Sequence, residues 1–349
     1  MSSLLMLLGF TIGIILGNFP SILRPRPAWW RWAVVILTSL TIVLALWPPL
    51  GGTFNSVVLM GRSYEKQAVP LRASIDHSTK SYNAERDEFS VVMRDFSSEP
   101  REFPVVFTGR EPAEISSAKV VIVNVRLGAS DTDFRGESIV AVDPAVTIGF
   151  VPALAERIRN VYFHVPMAWI GFLAYFLTMI YSVRYLRKRE PSDDIKAAAA
   201  AGLGTVFTVL ATVTGMIWAK FNWGAFWSWD PRQTSIFVLL MIYGAYFALR
   251  GALSEDDDKR ARLSAVYSIF GFVSAIFLVY IIPRIMEGLH PGAAKSGDMG
   301  PLVDGSIDPI VLSLYTLSLM SFTLIYFWLY SITVRSRLVA SELDEAQFS

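Results

Sequence analysis

Cysteine is absent from the 349-residue chain, which removes thiolate metal sites, disulfides and a cysteine nucleophile together. Histidine is nearly absent: His77, His164 and His290 are the only three, so imidazole chemistry has few places to reside. Charge is scarce, at 17% Asp, Glu, Lys and Arg against 53% hydrophobic residues, and this balance argues against an ordinary soluble single domain. An excess of one sign is missing too. A formal net charge of +1 offers nucleic acid no global attraction and does not describe an acidic, solvating chain. No phosphate-binding Gly-rich Lys motif is present, so ATP chemistry would have to come from another chain.

What the chain does contain is long apolar runs. Seven approach the roughly 20 residues that a spanning helix needs, at about 3–19, 30–49, 161–183, 197–219, 234–253, 263–283 and 309–332. The first is short, ends at Asn18 and Pro20, and lacks a basic leader and a small-residue cleavage site, so it reads as a retained helix. Lys and Arg collect in alternate connections: Arg24, Arg26 and Arg31; Arg184, Arg187, Lys188, Arg189 and Lys196; Arg250, Lys259, Arg260 and Arg262; and Arg335 and Arg337. Positive residues are retained in the cytoplasm, so seven helices put the N-terminus outside and the C-terminus inside. The same parity gathers three segments on the outer face: the start of the third helix around His164, the loop from Phe221 to Gln233, and the connection holding His290.

Residues 50–158 break the apolar pattern and are too long for a loop. Strand-like alternation occurs at Phe89, Val91 and Val92, from Phe103 to Phe107, from Lys119 to Val125 and from Ser138 to Val142. Thr108-Gly109 and Asp131 to Gly136 read as turns. The expectation is therefore a mainly α, polytopic membrane helix bundle with an inserted outer β-barrel or sandwich. Its domains are a transmembrane hairpin at 1–49, the β domain at 50–158, a second transmembrane domain at 159–335 and a cytoplasmic tail at 336–349.

Chemistry concentrates in Trp223-Gly224-Ala225-Phe226-Trp227-Ser228-Trp229-Asp230-Pro231-Arg232. Three tryptophans and a phenylalanine form a flat apolar platform with indole donors, suited to a large planar ligand. Interfacial tryptophans also occur as a belt at the membrane surface, but a belt requires neither this order nor the adjoining acid and arginine. Asp230 at the start of the fifth helix suits a helix cap as well as a binding site, and both readings stand. Arg232 offers paired donors to a ligand carboxylate. His164 lies in Tyr162-Phe163-His164-Val165-Pro166, with Pro166 suited to a first helical turn, and His290 lies in Gly288-Leu289-His290-Pro291-Gly292. Two histidines converging beside an aromatic platform are better explained as axial ligands to a heme iron than as surface anchors. Arg157 and Arg159 could meet propionates or snorkel to lipid headgroups, and His77 receives no role.

The string WGAFWSWDPRQTS resembles the signature of the WWD heme-handling superfamily, and FHVPMAW with LHPG resembles its CcmC (heme exporter protein C) branch. The resemblance covers about residues 150–335. It implies His164 and His290 as ligands to the iron of heme b, with Trp223, Gly224, Trp227, Trp229 and Asp230 as the heme-binding loop. Arg232 and Arg159 become propionate partners. One departure is that tryptophans expected before the second histidine are replaced by Arg284-Ile285-Met286-Glu287-Gly288. The inserted domain is not expected in that branch. Its Phe103 to Gly109, Glu111-Pro112, Val120 to Val125 and Phe134 to Val140 resemble the OB-fold heme chaperone CcmE, although Ala141-Val142-Asp143-Pro144 stands where the chaperone's attachment histidine should follow.

These resemblances imply an inner or plasma membrane protein of cytochrome c maturation that presents heme on the extracytoplasmic face to a CcmE-type chaperone, alongside ABC-transporter subunits and membrane lipid. It would have no enzymatic step of its own. The alternative is a CcsA-like synthase attaching heme to apocytochrome thiols, but such synthases carry further histidines within membrane helices and none lies in the five matched here. A non-heme transporter would bury ionisable groups at mid-membrane, where these helices have almost none.

Overall fold

The computed structural model describes residues 2–62, 67–130, 132–152, 154–253, 256–290, 293 and 309–348. The chain divides into a mainly helical unit and a second unit at residues 43–158, to which the first residues of the last helix, up to Val311, also belong.

The helical unit contains α1 (Ser2–Asn18), α2 (Ala28–Leu46), α4 (Ile158–Lys188), α5 (Pro191–Trp223), α6 (Pro231–Ala252), α7 (Asp257–Ile276) and α9 (Pro309–Phe348). A π-bulge at Phe277–Ile281 continues α7 into the short α8 (Ile282–Ile285). Among the described residues, six helical segments are long and apolar enough to cross a membrane: α2, α4, α5, α6, α7 with α8, and α9. The seventh expected span, α1, has 17 residues and is shorter. It still has a defined seat, because a Cβ at Gly9 or Gly17 would collide with Thr316 or Phe327 of α9. Small residues that let helix backbones approach closely are the usual means of association where lipid offers no hydrophobic drive. Arg26, expected in a cytoplasmic connection, is buried here and donates to the carbonyls of Phe19 and Phe327.

Two helix boundaries differ from the sequence reading. The third spanning helix begins at Ile158, so Pro166 lies in its interior instead of its first turn. Proline carries no N–H and leaves the carbonyl four residues back without its helical donor. That carbonyl belongs to Tyr162, and the Ser318 hydroxyl of α9 donates to it. The last helix continues to Phe348, beyond the boundary placed at 335.

At the end of the bundle where α4 passes to α5 and α6 to α7, charges are paired. Arg250 grips Asp194 through two bonds of 2.7 and 2.8 Å, while Asp193 receives Arg184 at 3.2 Å and Lys196 at 3.3 Å. The alanines at 197–201 are all buried, letting α5 pack closely.

The second unit holds α3 (Phe54–Gly61), β1 (Leu50–Gly51) and β7 (Ile148–Gly149), and a closed barrel. The barrel strands are β2 (Val69–Asn83), β3 (Glu88–Asp95), β4 (Glu102–Thr108), β5 (Val120–Leu127) and β6 (Phe134–Val142), in the order β2-β3-β4-β6-β5. A five-stranded Greek-key barrel is what an OB-like domain requires, and it excludes the sandwich. Alternate residues fill it: Val69, Leu71 and Ala73; Phe89, Val91 and Met93; Phe103, Val105 and Phe107; Val121, Val123 and Val125. Phe103 and Phe134 meet at 4.8 Å, a contact that stabilises by about 0.5–1.5 kcal/mol beyond burial. The expected turn at 131–136 is shorter, because β6 starts at Phe134; β2 and α3 were not expected. Gly109 takes a φ of +87°, as the expected turn there needs. His77 bonds the Ala118 carbonyl at 2.8 Å. Asp143, where an attachment residue would stand, instead accepts from the backbone N–H groups of Lys119 and Val120 at 3.1 and 2.8 Å.

Candidate functional site

The tryptophan-rich segment joins α5 to α6, and its shape follows from its ends. Gly224 closes α5 with a φ of +82°, a left-handed conformation that suits glycine, and its N–H meets the Lys220 carbonyl at 3.1 Å. Pro231 starts α6, and the Asp230 carboxylate caps it by accepting from the Arg232 N–H at 2.9 Å. Between these ends Gln233 replaces the missing backbone ladder. Its side-chain oxygen accepts from the Ser228 N–H at 2.9 Å and its nitrogen donates to the Phe226 carbonyl at 3.2 Å. Trp229 has a φ of +57°, an uncommon and strained value for a bulky side chain. Its ring is 68% exposed, while Trp227 stands edge-on to it at 5.6 Å. Trp229 is thus displayed at the surface by a conformation that α6 holds in place through the Thr234 hydroxyl, 3.2 Å from the Trp229 carbonyl.

Asp230 does more than cap a helix. Its second oxygen accepts from the Leu289 N–H at 2.6 Å, and its first lies 3.4 Å from Nδ1 of His290. That imidazole contact is close but lacks the alignment of a regular hydrogen bond, leaving Nδ1 without another partner among the described residues. The clamp is tight enough that a Cβ at Gly288 would fall 2.8 Å from the same carboxylate. Burial opposes ionisation of Asp230, but the His290 ring and the two N–H donors outweigh it and hold the carboxyl at about 2. Burial keeps the His290 imidazole below its ordinary value, although Asp230 pulls the other way. A neutral imidazole at pH 7 is the form that ligates metal. Trp223 packs against the same ring at 4.9 Å, providing a wall on a side where the sequence lacks the tryptophans expected before His290. Ile285 and Met286, which occupy that stretch, are exposed. Pro291 and Gly292 lie outside the described residues.

His164 sits on α4 and is held by α5. Its Nδ1 is 2.9 Å from the Ala211 carbonyl and 3.2 Å from the Thr214 hydroxyl. A carbonyl can only accept, so Nδ1 carries the proton and Nε2 keeps the free lone pair. Gly215 makes room for the ring: a Cβ there would be 2.8 Å from His164 Cε1. Sequence reasoning missed Ala211, Thr214, Gly215 and Gln233; a glycine within an apolar helix, facing another helix that bears a histidine, is the signal that was available.

His164, Trp227, Arg232, Gln233 and His290 border one cavity of about 110 Å³, closed by apolar residues including Met216, Ile236 and the π-bulge pair Leu278 and Val279. The Arg232 guanidinium has its Nε buried there with no hydrogen-bond partner among the described residues. Trp223 and Asp230 support the cavity through His290, Trp229 stands beside Trp227, and Gly224 serves as the turn. Arg159 is half-buried on the first turn of α4 and is not part of the cavity lining.

This site lies within the part of the chain that is similar to known proteins. The family model described as CcmC, heme exporter protein C, matches residues 139–349, so most of the barrel precedes the match. The heme exporter protein C of Rhodobacter capsulatus is 34% identical over 169 residues, 47% of this chain and 69% of that protein. The Escherichia coli protein of the same name is 32% identical over 182 residues, covering 51% of this chain and 70% of its own length. That of Bradyrhizobium diazoefficiens is 29% identical over 190 residues, 54% and 70% of the two chains. With more than half of its length matched by the family model and its histidine and tryptophan segments inside that match, the chain belongs to the heme exporter protein C family.

Proposed function

We propose that this chain binds heme b between His164 and His290 on the extracytoplasmic face of a cell membrane and presents it to a CcmE-type heme chaperone. Membership in the heme exporter protein C family brings with it a role in heme delivery for cytochrome c maturation, within a system that includes ABC-transporter subunits. The observation that carries the finer reading is the cavity bordered by both imidazoles, each with Nδ1 turned toward an acceptor, so that both Nε2 lone pairs remain for a ligand. When bound, heme supplies an iron that accepts two imidazole lone pairs. Arg232, whose buried Nε has no hydrogen-bond partner among the described residues, suits a carboxylate of the ligand, and Trp227 and Trp229 offer flat apolar surface. The cavity's 110 Å³ is below the roughly 300 Å³ of small-molecule pockets, so the ligand would extend beyond it, onto the exposed Trp229 that neighbours the lining residue Trp227.

Nothing in this reading requires the chain to make or break a covalent bond. Asp143 is engaged in closing the barrel, and no histidine or cysteine follows β6 before the helical unit, so the barrel does not attach heme. The decisive experiment is the visible spectrum of detergent-purified protein from heme-replete cells. A low-spin spectrum with two histidine ligands is expected; protein that purifies folded but heme-free would sink the reading.

A further inference from the structure

The two histidines are held in chemically different ways. Behind His290 stands a carboxylate, Asp230, which is itself fixed by the Arg232 and Leu289 N–H groups at 2.9 and 2.6 Å. Behind His164 stand a neutral carbonyl, Ala211, at 2.9 Å and a hydroxyl, Thr214, at 3.2 Å. The Thr214 hydroxyl has one proton and meets the Leu210 carbonyl at 2.8 Å, closer than Ala211 at 3.1 Å, so it can serve His164 as a neutral acceptor. A carboxylate 3.4 Å from an imidazole Nδ1 strengthens, through its charge, the donation from the other ring nitrogen, even without a regular hydrogen bond. An imidazole facing neutral acceptors gains much less.

We propose that His290 is the anchoring ligand of this site and His164 the exchangeable one, an inference that rests on the heme-binding reading above. Asp230 is then a positioning residue that acts through His290. Besides polarising the ring, it ties the ring's own backbone neighbour, Leu289, to the cap of α6, so anchoring ligand and tryptophan loop move as one piece. Hand-over is a ligand substitution at the other side: the His164 Nε2 lone pair leaves, a lone pair from the acceptor takes its place, and no proton or electron changes hands. His164 needs no movement of α4 to let go, since its ring is retained by the Ala211 and Thr214 contacts when its Nε2 is free.

The test compares full-length His164→Gly and His290→Gly proteins in detergent, with excess apomyoglobin as the heme acceptor and visible and electron paramagnetic resonance spectra as readouts. His164→Gly should keep heme with a single histidine ligand, and His290→Gly should lose it at least about tenfold faster, in line with the effect of a strong ligand and its partner. Asp230→Asn should speed loss from the otherwise intact site about tenfold and raise the heme reduction potential, whereas Thr214→Val should do neither. Equal rates for the two glycine variants, or the reverse order, would overturn the proposal. If Asp230→Asn fails to fold, the glycine pair still decides. A parent protein without a two-histidine spectrum would undo the heme reading instead, so the two failures are distinguishable.

Discussion

The two ends of the helical unit treat polar groups in opposite ways. At one end Asp194 and Arg250 face each other through two bonds, and Asp193 is completely buried between Arg184 and Lys196. At the other end Arg232 Nε is buried without a hydrogen-bond partner among the described residues, and His290 Nδ1 has only a 3.4 Å contact with the Asp230 carboxylate. Buried polar groups in native proteins are almost always satisfied, so those left open deserve a reason. The difference teaches where stability and function are separated. The paired end holds α4, α5 and α6 together, while the open end keeps the Arg232 guanidinium in reserve for a ligand.

The sharpest way to break that contrast is Asp194→Ala, which strands the Arg250 guanidinium. Loss of one partner of a buried pair costs about 3–5 kcal/mol, so detergent thermal unfolding should show a large drop, with heme per folded molecule unchanged. Next comes Ser318→Ala. It removes the Ser318 hydroxyl from the Tyr162 carbonyl, which lacks its helical donor because of Pro166, and should cost about 1 kcal/mol. Because Tyr162 is two residues from His164, the heme spectrum should broaden or shift as well. A spectrum identical to the parent's would place that junction outside the site.

Gly215→Ala sharpens the comparison from the other side. The added methyl presses on the His164 ring, and heme retention should fall about tenfold while the melting temperature changes little. The smallest stability effect is expected for Arg232→Gln. Arg232 Nε has no hydrogen-bond partner among the described residues, so stability should stay within about 0.5 kcal/mol while heme retention drops. A stability loss as large as that of Asp194→Ala would show that Arg232 is structural and erase the distinction between the two ends. On a denaturing gel, heme staining should be absent from the chain; stain that survives denaturation would show covalent attachment.

Much of this was legible in the residues. Long apolar runs place the spanning helices because a bilayer demands length and leaves few alternatives. The ordered tryptophans and two histidines point to one site because helix parity puts them at one end. Strand β2 escaped notice, since its inward Val69, Leu71 and Ala73 are interrupted by Pro70 and followed by the polar stretch Asp76 to Lys80, whose pairing is broken by an irregularity between Asp76 and Ser81. The seat of His164 was also hidden. Ala211, Thr214 and Gly215 look like ordinary helix filler until α5 is laid against α4, and only that packing reveals a carbonyl as the imidazole's partner. Asp230 kept both of its readings in the sequence, and the structure gives it both roles at once.

The pairing of β1 with β7 carries a consequence for how such a chain can be assembled in evolution. Leu50 lies beside Ile148 and Gly51 beside Gly149, so the segment leaving α2 and the one approaching α4 are clasped side by side at the base of the barrel. A module whose two ends are already neighbours can be acquired or lost through a single short junction, with the flanking helices keeping their own connections. The clasp gives the barrel the character of a cassette, with both of its chain ends leaving at one place.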